Sequence, residues 1–276
     1  MLLLQKNLSP SQGAFTGHDA AYVGPDLHSI LIDPSSPGRI FVGGHASAAV
    51  SADGGRTLQQ VTGLENVDAM NWLSSPDGQH QVVAGHYGVR TSGDDGRTWQ
   101  DISGVLPRTD VHAAGMDPGA PSHLWAYVVG IGVVASTDSG QAWGIVGGQD
   151  LSLMGPMIVT AGGKQIVAAD VQAGIVRSVD GGRTWSPTDS AVQAFWMNVD
   201  PADSNHLLAV GRLLYESKDG GSSWAPVAPL PDSVRAVAIS PGATPSWYAG
   251  RWANEDASLL VSTDHGQHWQ AVASGP

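Results

Sequence analysis

The octapeptide SVDGGRTW at residues 178–185 occurs in six versions along the chain. Its frame, Ser-x-Asp-x-Gly-x-x-Trp, also reads as SADGGRTL from Ser51, SGDDGRTW from Ser92, STDSGQAW from Ser136, SKDGGSSW from Ser217 and STDHGQHW from Ser262. Only the first copy departs, with Leu58 where the others carry Trp. Successive copies lie 41, 44, 42, 39 and 45 residues apart. A period near 40, with short apolar runs broken by Gly, Asp and Pro, fits one four-stranded propeller blade per repeat. In the second repeat those runs are DAMNWLSS, HQVVAGH, GVRTSG and TWQDIS. The pattern predicts an all-β, six-bladed β-propeller over 26–276, with an N-terminal segment, 1–25, packed on it.

Composition agrees and removes several function classes. The 276 residues are 42% hydrophobic and 14% charged, enough to bury a large core and too apolar for disorder. With 36 Gly, 17 Pro and 10 Trp, the chain reads as short strands and turns locked by large aromatics. A formal charge of -12 repels phosphate backbones, so nucleic acid is not an expected partner. No apolar run approaches the roughly 20 residues of a membrane span. There is no cysteine, hence no disulfide and no thiolate metal site. The opening MLLLQKNLSPSQG has too short an apolar stretch, and no small-residue cleavage site, for a signal peptide.

The six frames resemble the Asp boxes of bacterial neuraminidase-type (BNR) repeats. The whole chain resembles Asp-box propellers labelled glycosyl hydrolases or exo-sialidases and, more distantly, photosystem II assembly-factor propellers. In such a box the Asp and Ser side chains satisfy turn amides, Gly accepts a left-handed backbone and Trp covers the blade edge. The resemblance implies that boxes lie on the outer rim, away from any ligand, so Asp53, Asp94, Asp138, Asp180, Asp219 and Asp264 are expected to be structural. It also implies an extracytoplasmic location.

A second repeat carries chemistry. DLHSILIDP (26–34) returns as DVHAAGMDP (110–118), and DAMNWLSSP (68–76) fills the same frame midway with methionine for histidine. Counting back from each turn pairs Asp33 with Ile40 and so His28 with His45. Ser75 with Gln81 likewise pairs Met70 with His86, and His112 falls beside Val129. Cross-strand neighbours of this kind are close enough to share one ion. His28, His45, Met70, His86 and His112 are therefore expected to form one metal site at a mouth of the central channel. Asp26, Asp68 and Asp110, two residues earlier on the same strand face, are expected to stand behind the imidazoles and orient them. Imidazole with thioether suits copper, and zinc if Met70 stays outside the ligand set. His18 belongs to a segment that folds over the mouth in one arrangement, whereas His265 and His268 fall within the last box, at the surface. Across the mouth, Arg212, Arg235 and Arg251, with Trp252, Phe195, Trp196 and Met197 nearby, offer a clamp for an anion.

Two other functions compete with metal binding: a glycoside hydrolase of sialidase type at the same mouth, and a scaffold for protein assembly. The first needs two suitably spaced carboxyl groups. The chain has three Glu, at 65, 216 and 255, and better-placed Asp at 26, 68, 110 and 170, but no pair is singled out as acid and base. The arginine entry motif of sialidases is missing too, because GRIFVGG lies inside the first blade. Expected partners are a metal ion or small molecule at the mouth, and a protein.

Overall fold

The computed structural model describes residues 23, 24, 26–160, 162–189, 191–253 and 256–272. His18, Glu255, the side chain of Trp252 and nearly all of the segment expected over 1–25 lie outside these. The described residues form strands and one short 3-10 turn, Ser103–Val105, and no helix among them is long and apolar enough to cross a membrane.

The first sheet comprises β1 (Ser29–Ile32), β2 (Ile40–Gly43), β3 (Ala48–Ser51) and β4 (Gln59–Gln60). The second comprises β5 (Asn71–Ser74), β6 (Gln81–Gly85), β7 (Gly88–Ser92) and β8 (Gln100–Asp101). Next come β9 (Val111–Asp117), β10 (Ala120–Val128), β11 (Gly132–Ser136), β12 (Gly144–Gly147), then β13 (Leu153–Thr160), β14 (Gln165–Asp170), β15 (Gly174–Ser178) and β16 (Ser186–Asp189). The chain closes with β17 (Ala194–Asp200), β18 (Asp203–Gly211), β19 (Leu214–Ser217), β20 (Ala225–Ala228) and with β21 (Val234–Ile239), β22 (Trp247–Ala253), β23 (Asp256–Ser262), β24 (Gln270–Ala271). Each set of four is an antiparallel meander, and together they make an all-β propeller with four-stranded blades. The leading strands stand around one axis: each packs on the next, and β21 returns to β1.

Six separate sheets were expected, and the structure differs at one place. Strands β9 to β16 form a single eight-stranded sheet, because β9 and β13 pair in parallel through Gly155 with Ala113 and Pro156 with Ala114. Glycine allows this approach. A side chain on Gly115 would sit 2.9 Å from the Met157 carbonyl oxygen, and Gly155, at φ 72°, lies against the Phe195 carbonyl oxygen.

Among the described residues, ring closure is apolar rather than through a shared strand. Leu27, Ile30, Ile40 and Val42 of the first sheet share one buried cluster with Ala236, Trp247, Ala249 and Leu260 of the last. Leu58 is buried in that cluster, which explains why the first frame has no Trp: its turn sits on the closing seam.

All six Ser-x-Asp turns join the third strand of a blade to its fourth, far from the axis. Ser178 shows the wiring: its Oγ donates to Asp180 Oδ1 at 2.8 Å and accepts from the Gly182 N–H, while Asp180 Oδ1 accepts from the Thr184 N–H at 2.9 Å. These donors hold the carboxyls of Asp53, Asp94, Asp180 and Asp219 down at about 2. Each turn also latches its blade to the preceding one. A Cβ on Gly140 would meet Ile102 Cδ1 at 2.2 Å, one on Gly221 would meet Val167 Cγ1 at 3.0 Å, and Arg39 of the first blade grips the Asp95 carbonyl at 2.8 Å.

The inner hairpins are one residue out of the expected register. Ile32, not Asp33, faces Ile40, and Ser74, not Ser75, faces Gln81. By the same ladders His28 and Met70 do not oppose His45 and His86, and Val128 faces Val111 rather than any partner placing His112 at Val129. The observed register runs on into the turns, where the Asp33 N–H bonds the Arg39 carbonyl at 3.0 Å and the Ser75 N–H bonds the His80 carbonyl at 2.8 Å, while Asp33 Oδ1 accepts from the Ser35 N–H at 2.8 Å and Ser75 Oγ from the His80 N–H at 2.9 Å.

Candidate metal centre

At the start of four of the six leading strands the ladder carries one residue too many. Ser29 pairs with Gly43, yet the His28 N–H also bonds the Gly43 carbonyl at 2.8 Å. The pairing likewise skips over His112, Phe195 and Arg235. Such a bulge frees a side chain from the pleat and turns it toward the mouth. At the other end of each hairpin, a glycine lets the incoming chain cross. A Cβ on Gly44 would lie 2.3 Å from the Asp26 carbonyl oxygen and one on Gly85 would lie 2.2 Å from that of Asp68. His45 and His86 follow these glycines, just beyond the ladder, and so reach the same rim despite the altered register.

The result is a row of alternating carboxylates and imidazoles across three blades. His45 Nδ1 lies 2.7 Å from Asp26 Oδ1, and His28 Nε2 lies 3.1 Å from Asp26 Oδ2 and 3.0 Å from His45 Nε2. His86 Nδ1 contacts Asp68 Oδ2, which also accepts the His86 N–H at 3.1 Å. Asp110 Oδ1 stands 3.1 Å from His112 Nε2 and 4.0 Å from His86 Nε2. The His45 and His86 rings are parallel, 5.7 Å apart, and His86 meets His112 edge-on at 5.1 Å. The blades are held in step by Ser29 Oγ, which donates to the Ala69 carbonyl at 2.6 Å, and by Asn71 Nδ2, which donates to the His112 carbonyl at 3.3 Å.

Three overlapping ligand sets follow: Asp26, His28 and His45; His45, Asp68 and His86; His86, Asp110 and His112. Within each set the donor atoms lie within 4.8 Å of one another, a spread that bonds of about 2.0–2.2 Å to one ion would draw in only modestly. The aspartates, expected behind the imidazoles, here stand between them as donors in their own right. Burial alone would raise the Asp26 carboxyl, but hydrogen bonds from His28 and His45 bring it down to about 2. Burial lowers the His112 imidazole, against the pull of Asp110. Among the described residues, no Lys or Arg pairs with any of the three aspartates, and the buried Asp68 Oδ1 has no hydrogen-bond partner.

Met70 is buried. It lines a cavity of about 560 Å³ with Asp26, His28, Met154, Phe195 and Arg235. Met154 was missed in the sequence, although it lies on the 42-residue step that links 28, 70 and 112. Of the expected anion clamp, Arg235 borders this cavity, Arg212 follows a crossing glycine as His45 and His86 do, and Arg251 Nε donates to Ser258 Oγ at 3.2 Å. The other carboxyls are occupied elsewhere. Asp170 accepts the N–H groups of Ser152, Gln172 and Ala173; Glu65 accepts the Gly63 N–H; Glu216 pairs with His206 and Lys218.

No protein-family model and no curated protein matches the sequence. Solved structures do match by shape. The GH74 xyloglucanase from Xanthomonas campestris superposes with a TM-score of 0.62 over 96% of this chain and 46% of its own, at 17% identity. An ancestral GH74 enzyme gives 0.55 over 96% and 39%, at 14% identity. YCF48 bound to D1 peptide gives 0.51 over 74% and 68%, at 19% identity. The chain is a β-propeller similar to these. It spans less than half the length of the two GH74 enzymes, and at such identities the likeness is one of fold.

Proposed function

We propose that this chain is a six-bladed Asp-box propeller, the eight-stranded sheet being two blades joined at their leading strands, and that it binds divalent transition metal at the channel mouth. The observation that carries the reading is the row itself, with three carboxylates that no described Lys or Arg answers, interleaved with four imidazoles, and the buried Asp68 Oδ1 left without a donor. A buried carboxylate with no cation is costly, and an ion supplies what the protein withholds. Because the clustered groups are imidazole nitrogen and carboxylate oxygen, zinc is placed first here, with copper, expected first from the sequence, second. Metal analysis of tag-free protein tests this, with the His45→Ala/His86→Ala double variant as control. Stoichiometric zinc in the parent and none in the variant is the expected result; equal content in both would sink it.

Glycoside hydrolysis at the same mouth is the second reading, supported by the likeness to GH74 enzymes. It requires Asp26, Asp68 or Asp110 to serve as acid and base, since Asp170, Glu65 and Glu216 are spent on other contacts. Turnover of a xyloglucan or sialoside, abolished by Asp68→Asn, would establish it. The likeness to YCF48 supports a third role, binding a protein partner, for which co-purification from a lysate of the source cells is the test.

A further inference from the structure

The row is longer than one ion needs. A single divalent ion on the central set would use His45, Asp68 and His86, leaving Asp26 with His28 at one end and Asp110 with His112 at the other. A single ion on either end would leave the buried Asp68, 1% exposed, with one oxygen on His86 and the other without a donor. Two ions divide the seven residues without competition. We propose that the mouth holds a pair of divalent ions, one on Asp26, His28 and His45 and one on His86, Asp110 and His112, with the Asp68 carboxylate between them.

Charge favours the pair. The three aspartates bring three negative charges to a rim where no described Lys or Arg answers them, on a chain already at -12. One divalent ion leaves the centre negative; two bring it to a single positive charge, within reach of neutrality by one hydroxide or anionic ligand. Geometry favours it too. Each end set is a carboxylate with two imidazoles, the three-ligand arrangement that leaves a zinc ion one open position. Asp68 Oδ2 already stands at His86, while its carboxylate shares a set with His45 on the other side. A carboxylate placed in this way offers one oxygen to each ion, as in paired-metal centres that clamp and activate oxygen ligands.

This proposal rests on the metal reading, and the count of ions separates the two. Full-length, tag-free protein is stripped with chelator, reloaded with Zn²⁺ and desalted, and its zinc is counted per chain alongside a calorimetric titration. The expected counts are two for the parent, one for His28→Gln and one for His112→Gln. Asp26→Asn and Asp110→Asn give the same one-ion counts by a second route, and circular dichroism confirms that each variant is folded. A parent count of one, unaffected by either end substitution, would place a single ion on the central set and overturn the pair while leaving the metal centre standing. A count of zero would overturn both.

Discussion

Removing His45 and His86 together should erase metal-induced stabilisation while sparing the fold. These two imidazoles belong to all three ligand sets between them, so no set survives their loss. Both side chains are more than a third exposed, 39% and 36%, and both lie beyond the ends of their strands, so little core packing goes with them. The main-chain N–H of residue 86 still reaches Asp68 in the variant, which keeps that carboxylate anchored. An ion that binds only the folded state stabilises it by about 2.7 kcal/mol at a hundredfold excess over its dissociation constant. For 276 residues, with an unfolding entropy of about 2.1 cal/mol/K per residue, that shift raises the melting midpoint by about 5 °C for one ion and about 9 °C for two. Differential scanning calorimetry with zinc and then with excess chelator reads the change directly. The parent should lose its increment on chelation, and His45→Ala/His86→Ala should show none under either condition. A full increment in the variant would place the ion elsewhere; no increment in the parent would remove the metal centre.

Other consequences can be checked alongside. Met70→Leu should leave zinc stoichiometry and affinity within about threefold of the parent, since imidazoles and carboxylates complete each set without a thioether; a loss of an order of magnitude would return Met70 to the centre. Gly140→Val should cost about 1–3 kcal/mol in urea unfolding, because a Cβ there meets Ile102 at 2.2 Å from a backbone at φ 84°, whereas Gly144→Ala, with nothing within 4 Å, should be neutral. In acid, the turn carboxylates set the limit. Their folded values of about 2 lie below the unbound 3.8, so the stability they add is complete above pH 3.8 and is lost as pH falls toward 2. Circular dichroism should therefore show the sheet signal persisting through pH 4 and failing between about 3.5 and 2, and Asp180→Asn should move that transition to higher pH.

What could be read ahead of the structure was whatever depends on a few neighbouring residues. The Ser, Asp and Gly of each turn bond one another within five positions, so the frame announces the turn, and six frames announce the strands on either side. The spacing of Asp26 to His28 and of Asp110 to His112 puts each pair on one strand face, which made their proximity legible. Register was not legible in the same way. It is set by how many residues each turn holds between Asp33 and Arg39 and between Ser75 and His80, which hydrophobic pattern does not record. The merger of β9 with β13 depended on two glycines, Gly115 and Gly155, whose role appears only when the neighbouring chain is in place. The position of the aspartates between the imidazoles was hidden for a related reason. Asp110 approaches His86 of the blade before it, and no single repeat contains that contact.

The distribution of residues around the mouth argues against the row as a relic of duplication. Stepping by 42 from His28 passes Met70, His112 and Met154, and the corresponding places in the last two blades hold Phe195 and Arg235. Two residues earlier the series runs Asp26, Asp68, Asp110, then Ser152, Gln193 and Ser233. After the crossing glycines come His45 and His86, but Arg212 in the fifth blade. A backbone frame repeated for folding alone would place no constraint on which blades carry charge, yet carboxylate and imidazole occupy three adjacent blades and thioether, aromatic and guanidinium groups occupy the facing arc. Adjacency is what the chemistry demands. One blade brings at most a carboxylate and two imidazoles, open to water on one side; its neighbour supplies the next carboxylate about one strand spacing away, and the shared imidazoles join the sets. Scattering the same seven residues over alternate blades would keep the fold and its six turns intact while leaving no two sets in contact.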